Sequence, residues 1–322
     1  MPLPYTPATA KEWARASMRG IWCAALMPFT ADGALDEDGF RANLRHWFDD
    51  LGIDGVFVSG KQGEFFSMTL AERKRSFDIA REEAHKRGQR VICSCSDQNM
   101  DVVLDLARYS EATGADAIVV HAPILHFHKE QDQTLLGYYR KIAEETGIAM
   151  ALWSHPDSGY LMSPDLCLAL TEINQVVAIK YSVPRPMYRE LSERAGDALL
   201  VSTASEDEWL DNVIELGWRL YLCSSPPYLL QTKADTRMRE YTDLAFAGDQ
   251  DAARKVSASL QPVRDALKGT RPSEKPHAHQ KYWQDLIGQR GGHVRAPLLS
   301  LTEAEQRMTE DALANCGLKV GC

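Results

Sequence analysis

The sequence of 322 residues lacks an apolar run long enough to cross a membrane and lacks any excess of basic residues. It has 36 Lys and Arg against 45 Asp and Glu, for a net charge of −9, which predicts no nucleic-acid partner and no anionic membrane partner. Residues 1–20 contain no apolar segment of the kind that a secretory signal requires. We therefore expect a soluble cytoplasmic protein.

Cysteine is also scarce, with seven residues scattered along the chain and odd in number. Four of them lie inside apolar runs, where a disulfide would need a partner at matching geometry. Reduced thiols are the default in a cytoplasmic protein. The composition, with 44% hydrophobic and 25% charged residues, is that of an ordinary globular chain.

Short apolar runs alternate with amphipathic stretches along the chain, and most runs have the length and continuous hydrophobicity of strands buried on both faces. They cover residues 21–29, 55–60, 91–96, 117–123, 149–155, 176–182, 198–203 and 219–225. Eight strand–helix units favour a (β/α)₈ TIM barrel. An open doubly wound sheet would carry a glycine fingerprint after its first strand, and residues 28–33 contain none.

The remaining length predicts further helices after the barrel. The expected division is an N-terminal segment 1–20, a barrel 21–230 and a C-terminal helical region 231–322. Helices are predicted in that last region over residues 233–247, 250–267, 275–286 and 302–314. We expect these helices to form an extension of the barrel rather than an independent domain.

Lys180 stands out because it follows the apolar run Val176-Val177-Ala178-Ile179. Reactive groups of such barrels lie at the carboxyl ends of strands. Burial lowers the pKa of a lysine amine toward the range in which the free amine attacks carbonyl carbons. On position alone, a lysine that reaches the barrel mouth or pairs with a carboxylate is an equal alternative.

A glycine-bracketed turn, residues 58–64, follows the second predicted strand. Consecutive backbone N–H groups in such a turn can bind a carboxylate, and Lys61 could add charge. A plain strand-to-loop turn with a solvated lysine is the simpler interpretation of this segment alone.

Taken together, these segments resemble the dihydrodipicolinate synthase/N-acetylneuraminate lyase family of class I, pyruvate-dependent aldolases, from about Gly20 to Gly317. Four blocks carry the resemblance: Ala24-Ala25-Leu26-Met27-Pro28-Phe29 with Asp32-Gly33 and Asp36, Gly60-Lys61-Gln62-Gly63-Glu64 with Leu70-Ala71-Glu72-Arg73, Val119-Val120-His121-Ala122-Pro123, and Ala178-Ile179-Lys180. Their order and spacing are more specific than any block alone.

The resemblance implies that Lys180 forms a Schiff base with pyruvate or a pyruvate-derived 2-oxo acid, with no cofactor beyond this lysine imine. It implies that Gly60, Lys61 and Gln62 bind the substrate carboxylate and that Leu222 contacts pyruvate through its backbone. It also implies a homo-oligomer built as a dimer of dimers.

Several family positions differ here. The tyrosine that moves protons beside the lysine falls on Trp153, whose indole does not titrate usefully. The two threonines of the carboxylate loop are Lys61 and Gln62. The arginine with which dihydrodipicolinate synthase binds its second substrate has no counterpart in residues 157–159. We therefore expect a function other than that of dihydrodipicolinate synthase.

Ile179-Lys180-Tyr181 is similar to the corresponding strand of the hydratase-aldolases that cleave benzylidenepyruvates. His155 falls where those relatives have an Asn, so we predict His155 as the replacement acid/base and Tyr181 as second choice. Aromatic residues near the strand ends favour an aromatic or apolar aldehyde as the second substrate. The alternatives are a 2-keto-3-deoxy sugar acid aldolase or dehydratase, and a homologue that binds a 2-oxo acid without turnover.

Four histidines suggest a metal site as a further alternative, because imidazoles from the fourth and fifth strands could converge. They are His121, His126, His128 and His155. No Asp or Glu joins them at ligand spacing, so we expect no metal.

Overall fold

The computed structural model describes residues 3–125, 130–203 and 205–320. Within them, eight strands form one sheet in the order β7-β6-β5-β4-β3-β2-β1-β8. The strands are β1 (Gly20–Ala24), β2 (Gly55–Val58), β3 (Arg90–Ser94), β4 (Ala117–His121), β5 (Met150–Ser154), β6 (Val176–Tyr181), β7 (Leu200–Ser202) and β8 (Leu220–Leu222).

From β1 to β7, each strand lies beside the next strand in the sequence, and β1 pairs in parallel with β8. The Leu222 N–H, in β8, donates to Ser202 Oγ of β7 at 2.7 Å. The predicted (β/α)₈ TIM barrel with a C-terminal helical extension is confirmed.

Helices follow the strands and continue beyond the last one. They are α1 (Ala10–Ser17), α2 (Glu37–Asp49), α3 (Leu70–His85), α4 (Met100–Thr113), α5 (Gln131–Glu145), α6 (Pro164–Leu170), α7 (Arg185–Ala195), α8 (Trp209–Leu216), α9 (Pro226–Leu229), α10 (Arg237–Phe246), α11 (Gln250–Ser259), α12 (Gln261–Gly269), α13 (Pro276–Leu286) and α14 (Glu303–Asn315). No helix among the described residues is long and apolar enough to span a bilayer.

The chain forms two compact units. One contains the residues up to Trp22 together with Arg90–Cys223, and the other contains Cys23–Gln89 together with the residues from Ser224 onward. The division into segments 1–20, 21–230 and 231–322 stays a prediction.

In the first unit, apolar strands are covered by capped helices. All six residues of β6 are buried, as a strand between two packed layers requires. The Asn99 side chain accepts from the Asp101 N–H at the start of α4, and Gly114 ends that helix in the left-handed conformation. The Tyr5 hydroxyl donates to the Asp116 carbonyl and accepts from the Ala149 N–H, which ties the N-terminal segment to β4 and β5.

In the second unit, large aromatic residues join the helices to the strand ends. Trp47 of α2 stacks on Tyr228 with ring centroids 4.1 Å apart. The Tyr228 hydroxyl donates to the Ala24 carbonyl and accepts from the Leu26 N–H. Trp283 of α13 donates from Nε1 to the Leu229 carbonyl at 2.9 Å.

The helix predicted over residues 250–267 is two helices in the structure, α11 and α12. Leu260 ends the first helix and begins the second, and Pro262 lies in the first turn of α12. Proline has no N–H to continue a helix, whereas it is tolerated in a first turn.

Candidate active site

Lys180 is the penultimate residue of β6 and is only 1% exposed. Its Nζ donates to the Cys223 carbonyl oxygen at 2.9 Å and lies 4.9 Å from the centre of the Trp153 ring. The amine is therefore held at a carboxyl end of the barrel by a backbone oxygen and an indole face.

Lys180 belongs to a row of side chains from four neighbouring strands. The strand register pairs His121 with Trp153, Trp153 with Lys180, and Lys180 with Ser202. Residues paired across neighbouring strands point to the same face of a sheet. The row thus places an imidazole, an indole, an amine and a hydroxyl side by side near the strand ends.

His121 and Trp153 pack edge to face, with ring centroids 4.7 Å apart. His121 Nδ1 donates to the Ala122 carbonyl at 2.7 Å, so that nitrogen carries a proton. The His121 imidazole thus packs against the Trp153 indole, and the two rings form an aromatic wall next to the Lys180 amine.

His155 follows β5 directly and extends the wall, with its ring centroid 6.2 Å from that of Trp153. Its Nδ1 accepts from the Asp157 N–H at 3.2 Å and lies 3.2 Å from Asp157 Oδ1. In that arrangement Nε2 carries the ring proton. Moving the proton to Nδ1 would exchange the bond from the Asp157 N–H for one to the Asp157 carboxylate and would free the Nε2 lone pair. The same carboxylate would stabilise the imidazolium after proton uptake.

The structure does not bring Tyr181 to the face that carries Lys180. Successive residues of a strand point to opposite faces, and the Tyr181 hydroxyl donates to the Met162 carbonyl at 2.5 Å. Burial raises the pKa of Tyr181 well above its usual range and that of neighbouring Cys167 to about 12. Both groups lie on the outer side of β6.

Leu222 is buried in β8, where its N–H is bound to Ser202 Oγ. The next residue, Cys223, supplies the carbonyl that accepts from Lys180. Ser182 follows β6 directly, two residues after Lys180, and its buried hydroxyl has no hydrogen-bond partner in the described part of the chain. Sequence reasoning missed Ser202 and Ser182, although a polar residue at the end of an apolar run is a visible signal.

In the second unit, Gly60, Lys61 and Gln62 belong to a tight turn after β2. The Lys61 carbonyl accepts from the Glu64 N–H at 3.0 Å, and the Gly60 carbonyl accepts from the Phe65 N–H at 3.3 Å. Gln62 Oε1 is buried and has no hydrogen-bond donor among the described residues. The turn thus holds an unsatisfied polar atom, which a bound ligand or water would satisfy.

The turn is anchored by C-terminal residues that sequence reasoning also missed. His277 Nε2 donates to the Lys61 carbonyl at 2.9 Å. Lys281 of α13 forms a buried ion pair with Glu64, and burial lowers the pKa of Lys281 to about 8. The Arg295 N–H donates to Glu64 Oε2 at 3.1 Å. More than 200 residues separate these partners in sequence, so no local pattern could reveal them.

No group of three or more potential metal ligands occurs among the residues that the structure describes. His126 and His128, two of the four histidines considered for a metal, lie outside those residues.

The chain was compared with known proteins. A model of the dihydrodipicolinate synthetase family matches residues 17–316. The 4-hydroxy-tetrahydrodipicolinate synthase of Methanosarcina mazei is 26% identical over 302 residues, which cover 93% of this chain and 98% of that protein. The N-acetylneuraminate lyase of Clostridium perfringens is 32% identical over 167 residues, 51% of this chain and 57% of that lyase.

Solved structures show the same fold. The N-acetylneuraminate lyase of Fusobacterium nucleatum superposes with a TM-score of 0.81 at 22% identity, covering 94% of this chain and 99% of that one. A prophage protein of the dihydrodipicolinic acid synthase family from E. coli K12, in complex with pyruvate, gives a TM-score of 0.82 at 22% identity with the same coverage. The chain belongs to the dihydrodipicolinate synthetase family and is an enzyme of the class I aldolase type, which uses a lysine Schiff base and no external cofactor.

Proposed function

We propose that the protein is a lyase in which Lys180 forms an imine with pyruvate or a pyruvate-derived 2-oxo acid and which releases or adds an aromatic or apolar aldehyde. The observation that carries this proposal is the row of His121, Trp153, Lys180 and Ser202 on one face of four neighbouring strands. The row places a buried amine directly beside an aromatic wall.

The chemistry needs one nucleophile and one acid/base group. The Lys180 amine attacks the substrate carbonyl carbon, and water leaves as the iminium forms. In the cleavage direction, His155 takes the proton of the hydroxyl on carbon four, and the bond between carbons three and four breaks. Its electron pair moves into the iminium, which gives an enamine and a free aldehyde. Protonation of the enamine and addition of water then release pyruvate.

We assign the proton transfer to His155 rather than to Tyr181. The Asp157 carboxylate beside Nδ1 can hold the imidazole in the tautomer whose Nε2 accepts a proton. The Tyr181 hydroxyl is occupied by the Met162 carbonyl on the other side of the strand. Trp153 would then serve as a surface for the substrate and not as a proton carrier.

Gly60, Lys61 and Gln62 are proposed to bind the carboxylate of the 2-oxo acid. The two N–H-to-carbonyl hydrogen bonds that shape this turn support the assignment. A carboxylate would accept from the backbone N–H groups of such a turn. Leu222 is proposed to border the bound acid through its backbone.

The proposed class of aldehyde follows from the aromatic rings beside Lys180. His121, Trp153 and His155 present two imidazoles and an indole, which suit a planar aromatic group better than a polyol. This favours a hydratase-aldolase over the synthase whose name several relatives carry, and residues 157–159 offer no arginine for a second carboxylate. A 2-keto-3-deoxy sugar acid enzyme is the second candidate, favoured by the unsatisfied Ser182 hydroxyl, which could bind a substrate hydroxyl.

The test is reductive trapping. Incubation with pyruvate and borohydride should add one reduced pyruvate to the peptide that contains Lys180. It should add none to the peptide with Lys281, which is also fully buried. Lys180→Ala should abolish the adduct, while Lys255→Met, at an exposed position, should leave it unchanged. An unmodified Lys180 would rule out the imine.

A panel of aldehydes then separates the candidates. Aromatic aldehydes should condense with pyruvate faster than polyols or phosphorylated sugars. A sugar acid that reacts fastest would favour the second candidate, and trapping without any turnover would identify a binding protein. Assembly as a dimer of dimers and a cytoplasmic location stay predictions, the first of which sedimentation would test.

A further inference from the structure

We infer that His277, in the C-terminal extension, is a positioning residue for recognition of the substrate carboxylate. It fixes the peptide between Lys61 and Gln62 and thereby sets the direction of the Gln62 N–H, a donor proposed for the substrate carboxylate. The inference rests on the proposed function, and in particular on the proposed role of this turn.

The Lys61 carbonyl is one of the points at which the C-terminal extension contacts the turn. It accepts from the Glu64 N–H at 3.0 Å and from His277 Nε2 at 2.9 Å. A carbonyl oxygen has two lone pairs, so both are in use. Because that oxygen can only accept, Nε2 of His277 must carry a proton.

The consequence for the turn follows from peptide geometry. In a trans peptide the C=O and the next N–H point in opposite directions. Fixing the Lys61 carbonyl therefore directs the Gln62 N–H away from His277. Neither that N–H nor the N–H of Gly63 donates to a backbone carbonyl among the residues that the structure describes. These are the donors that an incoming carboxylate would use.

The rest of the turn has little freedom to adjust. A Cβ at Gly63 would lie 3.1 Å from the Ser59 Cα and 3.2 Å from the Ala25 carbonyl oxygen, so the backbone passes close to both. Glu64 adopts the left-handed conformation with φ of 55°, which costs a non-glycine residue free energy. Its carboxylate is held by Lys281 and by the Arg295 N–H.

The imidazole itself is held firmly. His277 is 8% exposed, and its ring lies edge-on to Phe66 with centroids 6.1 Å apart. Burial lowers the pKa of His277, which favours the neutral ring. Its helix α13 is anchored by Trp283, which donates to the Leu229 carbonyl, and by Lys281, which donates to the His293 carbonyl. The position of His277 Nε2, the donor to the Lys61 carbonyl, is therefore fixed by its surroundings.

The experiment measures the pyruvate concentration that gives half-maximal borohydride trapping on Lys180. Loss of the donor in His277→Leu should raise that concentration roughly five- to thirty-fold while the maximal extent stays the same. His277→Gln, whose amide can donate to the same carbonyl, should restore it to within about twofold of wild type. His277→Asn has a shorter side chain and should behave like His277→Leu, which covers the case that one variant does not fold.

Two controls separate positioning from general damage. His279→Leu removes a buried histidine of the same helix whose Nε2 is bound to the Thr270 hydroxyl and not to the turn. It should lower the melting temperature without changing the half-saturating pyruvate concentration. Trapping of acetaldehyde, which has no carboxylate, should be the same in wild type and in His277→Leu.

Failure of the two proposals gives different results. If wild type forms no pyruvate adduct, the proposed function fails and this inference fails with it. If wild type is trapped normally and His277→Leu matches it within about twofold, or loses acetaldehyde and pyruvate trapping equally, the inference alone is overturned.

Discussion

The Lys180 ammonium nitrogen lies 4.9 Å from the centre of the Trp153 ring, and the two residues are directly paired between β6 and β5. The indole therefore stands where the family resemblance places a tyrosine. The indole has no titratable group. Under the proposed function, Trp153 therefore shapes the substrate surface and another residue transfers the proton.

Trp153→Leu should weaken recognition of the aldehyde far more than that of pyruvate. Removing a ring from a stacking surface costs about 1 kcal/mol or more beyond lost area, so KM for an aromatic aldehyde should rise about tenfold. Borohydride trapping of pyruvate should persist. Trp209→Leu is the matched control, because Trp209 stacks on Tyr221 instead and should affect stability only. Equal effects on both substrates would remove Trp153 from the aldehyde surface.

His155→Gln should separate carbon–carbon bond cleavage from imine formation. General acid–base catalysis contributes about 10²- to 10⁴-fold, so kcat for cleavage should fall by that factor while trapping on Lys180 stays near wild type. Asp157→Asn keeps the imidazole and should show a smaller loss. An unchanged kcat for cleavage in His155→Gln would assign the proton transfer elsewhere.

The link between Glu72 and Arg295 should make stability depend on pH in the acid range. Hydrogen bonds from Arg295 lower the pKa of Glu72 from 4.5 to about 2. A carboxyl with a lowered folded-state pKa contributes stability above its unfolded value and loses it as pH falls through the folded value. The contribution should thus be complete above about pH 5 and decline toward pH 2.

Urea unfolding at several pH values checks this expectation. Glu72→Gln should cost about 1–3 kcal/mol at neutral pH and should flatten the acid decline. Glu303→Gln removes a largely exposed partner of Arg307 and should change stability by less than about 0.5 kcal/mol. A Glu72→Gln protein with an unaltered acid decline would contradict the assignment.

The buried ion pair of Lys281 and Glu64 should show strong coupling in a double-mutant cycle. Lys281→Met leaves a carboxylate buried without its partner and should destabilise the fold by about 3–5 kcal/mol. Glu64→Gln combined with Lys281→Met should cost clearly less than the sum of the single changes. Lys255→Met serves as the exposed control. Additive free energies of unfolding would mean that the two charges act independently.

The barrel and Lys180 were predictable because their signals are local. A lysine directly after four apolar residues is visible in any stretch of sequence, and the capping pair of Thr69 and Glu72 marks the start of α3 to the residue. The break between α11 and α12 was not predicted, although Pro262 is a helix-breaking residue in the sequence. A helical pattern continues on both sides of it and hides the break.

The anchors of the carboxylate turn were not predictable. His277 and Arg295 lie in a segment whose polar residues read as the solvated face of a helix and a loop. Their contacts join residues that are more than 200 positions apart in the sequence. A local sequence pattern cannot predict contacts of that range. The same holds for Cys223, whose contribution is a carbonyl oxygen and hence independent of its side chain.

The burial of the thiols has a consequence under the proposed function: it shields them from the aldehyde substrate. Aldehydes are electrophiles, and the thiolate is the form of cysteine that attacks them. The six cysteines in the described part of the chain are all buried, and burial raises the pKa of Cys167 to about 12, so that residue stays a thiol. If the active site at Lys180 handles an aldehyde, as proposed, these thiols are shielded from covalent inactivation by it.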